Sequence, residues 1–482
     1  MKQGFLTSLL IVIISVATSR AADETFSIEQ YRPTANKLID AALDDREGYA
    51  KLAYLCDRIG NRLSGSASLD RAIQWAAEQM KRDGLSNVRL IPAKIPHWVR
   101  GNESARLLAP IDAPLHMLGI GMSVGTPPEG ITADVVVVTS FDELSHLDPA
   151  HVKGKIVVYN EEYRGYGPTV AYRTGGASRA AALGAAAVLV RSVTPLAMQI
   201  PHTGALNYDE AHPKIPAAAI SIEDTLLITR LAASGVPVRV KLVMGAHQEP
   251  DVDSANVAGE IVGRERPEEV VVLGGHIDSW DVGRGAQDDG SGIIACLQAV
   301  ALMKKLNIQP RRTVRVVFWV NEENGGRGGE AYRDWLGDKV SNHVAAIEMD
   351  GGAEAPQGFG YGAVRGRRGP AGPPAEGAGE ADASSLRMLQ QVGKLLDRIG
   401  AGEITPGGGG SDIAPITARG VPSLGLRTVG THYFDWHHTE TDTLDKVDPQ
   451  DFRKNIAALA VMSYVLAEMP GRLAGSTRPG KD

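Results

Sequence analysis

Acidic and imidazole side chains recur in this chain just after short apolar runs, and the densest group follows Val270 to Leu273. There the stretch VVVLGGHIDSWDVGRGAQDDGSG carries His276, Asp278, Asp281, Asp288 and Asp289 before an apolar helical pattern opens at Ile293. That order predicts a buried strand delivering ligands to its C-terminal end, where open α/β sheets place their sites. His276 and Asp278 are two residues apart, so an extended backbone turns them to one side. A carboxylate so placed can steady a metal-ligating imidazole through its other ring nitrogen. The expectation is that His276 binds metal and Asp278 orients it; a loop of solvated acids is the alternative.

Further clusters follow at predicted strand ends. Asn321-Glu322-Glu323 comes after VRVVFWV, and Glu348-Met349-Asp350-Gly351-Gly352 closes another apolar run. Gly407 to Asp412 reads GGGGSD, and His437-His438-Thr439 precedes Glu440, Asp442 and Thr443. Adjacent acids face opposite sides of an extended backbone, yet at a turn Glu322 and Glu323 can reach one site, one binding metal and the other taking a proton. Taken singly each cluster has an ordinary reading: a solvated Glu-Glu loop, or a histidine pair on a polar surface. Carboxylate oxygens and imidazole nitrogens are zinc ligands, and a mixed set leaves positions open for water. Two such ions roughly 3.5–4 Å apart can share a hydroxide and polarise a peptide carbonyl. An unligated glutamate can then move the water's proton to the leaving amine.

Taken in order, GGHIDSW, GAQDDGSG, NEENG, EMDGG and HHTETDT resemble the motifs of the co-catalytic dizinc exopeptidases, the family of bacterial aminopeptidases and glutamate carboxypeptidases, most of all its plasma-type glutamate carboxypeptidase branch. The resemblance implies two zinc ions per chain. One would take His276 and Asp350, the other Glu323 and His438, with Asp288 bridging both. Glu322 would be the general base, and Asp278 would support His276. His438 is preferred to His437 because the family's ligand directly precedes a Ser or Thr. Gln287 departs from the shorter Gly-Ala-Asp form of many relatives, which bears on the choice of Asp288 over Asp289. The family also implies short peptide substrates, dipeptides above all, and a possible homodimer. Which chain end is read is left open. A single-zinc acyltransferase of the glutaminyl cyclase type and a non-catalytic binding protein on the same fold are the competing readings. Tyr433, Phe434 and Trp436 are candidate pocket walls, with core packing as the alternative.

Elements that can hold such a site surround it. The chain has 482 residues, enough for two domains, and 43% apolar residues, enough for a large core. A formal net charge of −7 with interspersed signs provides no basic footprint for nucleic acid. Lys2, the apolar run Leu9 to Ala17 and the small Ser19 and Ala21 form a secretory signal pattern over 1–21, so an exported protein, periplasmic or extracellular, without stable membrane insertion is expected. Cys56 and Cys296 sit in helical patterns and read as buried free thiols, a bridge being the alternative. Strands alternating with helices predict an α/β fold: a hydrolase-like, mixed but mainly parallel sheet flanked by helices. Residues 22–107 would be the N-terminal part of the catalytic domain and 247–472 its zinc-binding remainder. Between them, residues 108–246 carry VKGKIVVYN, ASRAAALGAAAVLV and IPAAAISIEDTLLITRL, an order resembling an inserted protease-associated domain; extra strands of one large domain are the alternative. Helices are expected over Ile28 to Ala50 and Asp382 to Ile399, a surface loop over Gly358 to Gly379, and a disordered tail over 473–482.

Overall fold

The computed structural model describes residues 27–363 and 382–474. The signal pattern at 1–21, most of the expected loop after Gly358 and nearly all of the tail lie outside them.

Val270 to Leu273 are buried on alternating sides of the strand Arg266–His276: Val271 and Leu273 join the large core on one face, Val270 and Val272 a smaller one on the other. A strand apolar on both faces belongs mid-sheet under helices. This one pairs in parallel with Arg312–Trp319 on one side and His343–Glu348 on the other, and His343–Glu348 pairs in parallel with Ser423–Thr428. The uniformly apolar helix Ser291–Lys305 is buried from Ser291 to Met303 and packs with Arg32–Leu43 and Pro449–Glu468 on the first face. Arg327–Leu336 covers the second through Tyr332 and Leu336. The four parallel strands therefore end together on one edge.

The eight-stranded sheet is mixed and mainly parallel, as expected, and each margin joins the parallel centre through an antiparallel pair. Ser86–Val99 and His247–Ile261 form one margin, Pro356–Ala363 and Glu403–Gly408 the other. The last pair overturns part of the expected loop: Gly358 to Ala363 is strand. Its glycines allow the backbones to meet, since a Cβ on Gly360 would lie 1.8 Å from the Gly407 carbonyl oxygen. Two expected helices are also shorter. Ile28 to Ala50 breaks between Arg32–Leu43 and Glu47–Tyr54, and the helix from Asp382 ends at Gly393 before a single 3-10 turn, Asp397–Ile399.

A second eight-stranded sheet is built entirely from residues 103–244. Ile131–Val138, Ile156–Tyr159, Ala187–Arg191 and Ala217–Ile220 run parallel at its centre, with antiparallel strands outside them. The chain enters and leaves this layer side by side. Val99 pairs with His247 in the first sheet and Glu103 with Met244 in the second, and between them Gly245 N donates to Asn102 O at 2.8 Å. Among the described residues no helix is long and apolar enough to cross a membrane.

Cys56 and Cys296 are both free and fully buried. Burial pushes the Cys56 thiol up to about 12 and Cys296 well above the ordinary thiol range, so neither supplies thiolate at neutral pH. The native protein should therefore leave both thiols unmodified by iodoacetamide, and mass spectrometry after alkylation in denaturant, without reductant, should find two adducts. A bridge would give none.

Candidate metal centre

The parallel edge carries the cluster. His276 is the last residue of its strand, and Asp350 lies two residues beyond Glu348. Asp288 sits in the turn before helix Ser291–Lys305. Glu322 and Glu323 follow Arg312–Trp319 through Asn321, whose φ of +65° turns the chain. Asparagine tolerates that left-handed conformation, and Asn321 Nδ2 holds it by donating to Ser64 Oγ at 3.0 Å and Asn324 Oδ1 at 2.6 Å.

These five segments converge. Asp288 Oδ1 lies 3.1 Å from His276 Nε2, which is 3.4 Å from Asp350 Oδ1. The other carboxylate oxygen, Asp288 Oδ2, lies 3.1 Å from His438 Nε2, itself 3.1 Å from Glu323 Oε2. One carboxylate thus stands between two imidazoles, with a second acid beside each. His276 Nε2, Glu323 Oε1 and Asp350 Oδ1 are buried without a hydrogen-bond partner. Buried polar atoms are seldom left so, and here His276 Nε2 and Asp350 Oδ1 face each other at 3.4 Å. His276, Asp288 and Asp350 offer ligand atoms within 4.8 Å of each other, and so do Asp288, His437 and His438. His437 Nε2 stands farther from Asp288 Oδ2, at 3.5 Å, and its ring stacks on His438. The contact to both acids belongs to His438.

The far nitrogen of each imidazole is held by a carbonyl. His276 Nδ1 lies 3.0 Å from Asp278 O and His438 Nδ1 3.2 Å from Thr203 O. Donation there puts the Nε2 lone pairs toward Asp288, the arrangement of metal-binding histidines. The carboxylate of Asp278 is 3.8 Å from His276 Nδ1 and works elsewhere as well. It accepts from Glu322 N at 3.1 Å, Glu323 N at 3.4 Å and Ser64 Oγ at 3.4 Å, fixing the turn that presents both glutamates. Asp289 is turned away from the cluster, accepting from His276 N and Gly292 N, each at 3.1 Å. Asp281 forms a two-point ion pair with Arg100 instead.

Burial and mutual charge set the protons. Burial opposes the charged form of His276, yet the Asp350 and Asp288 carboxylates pull it well above the usual imidazole range. Burial likewise opposes charge on His438, which Glu323 and Asp288 bring up to about 10. Glu323 is pushed up to about 8 by burial and by Asp288, and Asp350 up to about 6, mainly by burial. Asp288 stays well below the carboxylate range despite its burial, because His276 and His438 flank it. Such a set holds protons where a cation would otherwise sit.

Several residues have supporting roles that their place in the sequence does not give. Asp442 accepts from the backbone N–H groups of Ala286, Gln287 and Asp288 at 3.1, 2.7 and 3.2 Å, and burial pushes it up to about 7. The fully buried Arg62 donates to the carbonyls of Ile277, Gly60, Arg284 and Gly285 at 2.7–3.0 Å, tying the strand end to the turn before Asp288. Gly285 has φ +56°, and a Cβ there would meet Ser279 Cβ at 2.4 Å. His438, at φ +61°, is held from the second layer, where Thr203 N donates to its carbonyl at 3.0 Å. Only its burial could have marked Arg62, and burial is not visible in a sequence.

Both layers line a cavity of about 1480 Å³. Glu322, Glu323, Gly408 and Gly410 are on the first layer's wall, Tyr166 and Tyr208 on the other. Tyr433 and Phe434 pack on the His437 ring, at 5.1 and 5.4 Å, and Trp436 tilts onto His432 at 5.6 Å.

Residues 256–463, the stretch that supplies every residue of this cluster, match the description Peptidase family M28. Human carboxypeptidase Q is 42% identical over 428 residues, spanning 89% of this chain and 87% of its own length, and the Bos taurus protein is 41% identical over 452 residues, 93% and 92%. The chain belongs to peptidase family M28. It is accordingly a metallo-exopeptidase, and the M28 assignment fits the cluster's donor set of carboxylates and imidazoles. A peptidase M28 precursor from Shewanella amazonensis SB2B superposes with a TM-score of 0.86 at 30% identity, covering 94% of this chain and 100% of that one. A zinc aminopeptidase from Bacillus subtilis shares the fold at a TM-score of 0.63 and 18% identity, over 89% of this chain and 96% of its own.

Arg62→Leu leaves buried carbonyls on both sides of this M28 centre without a donor. Thermal or urea unfolding should show a loss of about 3 kcal/mol or more, from several acceptors at roughly 1–3 kcal/mol each. An unchanged unfolding midpoint would remove Arg62 from the framework of the site.

Proposed function

We propose that this M28 peptidase is an exported dizinc exopeptidase that hydrolyses dipeptides or other short peptides. The observation that carries the reading is Asp288, set between His276 and His438 with one oxygen toward each. His276 and Asp350 would hold one zinc and Glu323 and His438 the other, with Asp288 shared; the orphaned lone pairs fit that group. When bound, the ions polarise the peptide carbonyl and lower the pKa of water, making hydroxide available near neutral pH.

The chain's own residues do the rest. Glu322 lines the cavity, and its backbone N–H donates to Asp278 Oδ1 at 3.1 Å. It takes a proton from the attacking water as the new C–O bond forms and the carbonyl π pair moves onto oxygen. Glu322 then returns the proton to the amine nitrogen as the C–N bond breaks. Asp278 and Asn321 orient the glutamates, and Asp442 and Arg62 fix the backbone carrying Asp288. Residues 103–244 act as a protease-associated-like layer that closes the cavity. Export rests on the leader pattern at 1–21, and pairing into a homodimer on family likeness.

Glu322→Gln should retain zinc, measured by plasma mass spectrometry, while dipeptide turnover drops by roughly 100-fold or more; near-wild-type turnover would end its role as base. The wild type should hold two zinc ions per chain. His438→Ala and Asp288→Ala should lower zinc content together with activity, whereas undiminished metal would strike them from the ligand set. N-blocked and C-amidated dipeptides, assayed beside free ones, identify the chain end that is read.

A further inference from the structure

Arg173, on helix Tyr166–Ala181 of the second layer, is a buried guanidinium with no acidic side chain among its hydrogen-bond or ion-pair partners. Its Nη1 donates to Thr203 O at 2.9 Å, the same carbonyl that His438 Nδ1 meets, and lies 3.4 Å from that ring nitrogen. Its Nη2 donates to the Tyr166 hydroxyl at 2.7 Å. A buried cation without a counter-acid is costly, and its hydrogen bonds to the Thr203 carbonyl and the Tyr166 hydroxyl offset part of that cost. Here it locks a phenol to the segment carrying His438. The Tyr166 ring is fixed as well, stacked on Phe434 at 4.9 Å and edge-on to His437 at 5.2 Å. Because its oxygen accepts from Arg173 and no acceptor among the described residues takes its proton, the O–H is left to donate into the cavity that Tyr166 shares with Glu322 and Glu323.

We infer that Tyr166 is a catalytic residue of the peptidase, donating a hydrogen bond to the carbonyl oxygen of the scissile bond as negative charge develops there, with Arg173 as its positioning residue. The inference rests on the peptidase reading above. A neutral donor fixed in advance and polarised by an adjacent cation meets the requirement for stabilising an oxyanion: it is aimed before the charge appears and needs no reorganisation. The proton stays on Tyr166 throughout. Water's proton goes to Glu322, and the carbonyl electron pair gains one more donor. The anchorage favours this role over gripping a substrate terminus, because among the described residues the hydrogen bond and ring contacts that fix the Tyr166 side chain come from Arg173 and from the segment of Phe434 and His437. The catalytic layer thus borrows a group from residues 103–244.

Tyr166→Phe keeps both ring contacts and removes only the O–H. It should lower kcat for a dipeptide by roughly 10- to 100-fold with KM within about twofold, since the contact strengthens only in the transition state. Affinity for a phosphinic dipeptide analogue, measured by calorimetry, should fall by a similar factor, with zinc content and melting temperature unchanged. Arg173→Met should also lower kcat, and adding Tyr166→Phe to it should cost nothing further, because the arginine acts through the phenol. Unchanged kcat and phosphinate affinity in Tyr166→Phe would overturn the proposal. A loss confined to KM, or one accompanied by loss of zinc, would do so too. If the wild type neither cleaves the dipeptide nor binds the phosphinate, the peptidase reading fails and takes this one with it; a fully active Tyr166→Phe enzyme defeats this one alone.

Discussion

The close approach of Asp288 to two imidazoles is the constraint on which the rest of the architecture depends. Its carboxylate oxygens each lie 3.1 Å from a histidine nitrogen, among the buried side chains of His276, Glu323 and His438. Buried charges at that spacing interact strongly, and leaving any of them without a partner is expensive. The fold meets the requirement by rigidity. Parallel strands end on one edge, so His276, Glu323 and Asp350 enter from the same side, and the backbone of Asp288 is clamped by Asp442. Asp289, next in the chain, is occupied by the N–H groups of His276 and Gly292 and so does not compete for the same space.

The second layer is part of that rigidity. Thr203 engages His438 twice, through its N–H and its carbonyl, and Thr194 Oγ1 donates to the Phe434 carbonyl at 2.9 Å. His202, buried beside this segment, is pushed down to about 3, chiefly by burial, and so stays neutral and adds no positive charge near His438. A histidine at positive φ is uncommon and persists where its surroundings over-determine it. His438 is such a case, and the groups that determine it come from the second layer. A layer that reads in sequence as an appendage is wired into the centre it covers.

How much of this was legible depended on the range of the signal. The strand end at His276, the parallel core and the clusters that hold the site's acids and histidines follow from local patterns of apolar runs and glycines, whereas the choice of ligands among them follows from the resemblance to the dizinc exopeptidases. The strand Pro356–Ala363 looks in part like loop in the sequence, because glycines suited to close backbone contact resemble locally glycines suited to a turn. The break between Arg32–Leu43 and Glu47–Tyr54 lies in a stretch whose helical apolar spacing is continuous, and at it the buried Asp45 accepts from Gly48 N and from the distant Gln298 Nε2, each at 2.8 Å. Arg62, Arg173 and Thr203 gave no warning at all. Their importance lies in what they touch across hundreds of positions, and a lone arginine or threonine has no spacing to betray that. Aromatic residues beside His438 drew attention as pocket walls, whereas Tyr166, far away in sequence, takes that place.

The paired crossing between the layers bears on how the protein is made. Val99 and His247 are neighbours in one ladder, so that margin of the first sheet cannot zip up on the ribosome until everything from residue 103 to 244 has emerged. The second layer is complete by then and has one core built from its own residues alone, and domains tend to fold in the order of their synthesis. The covering layer is thus positioned to be a finished body onto which the later strands assemble, so that the loop of His437 and His438, among the last to be translated, meets Thr203 and Arg173 already in place.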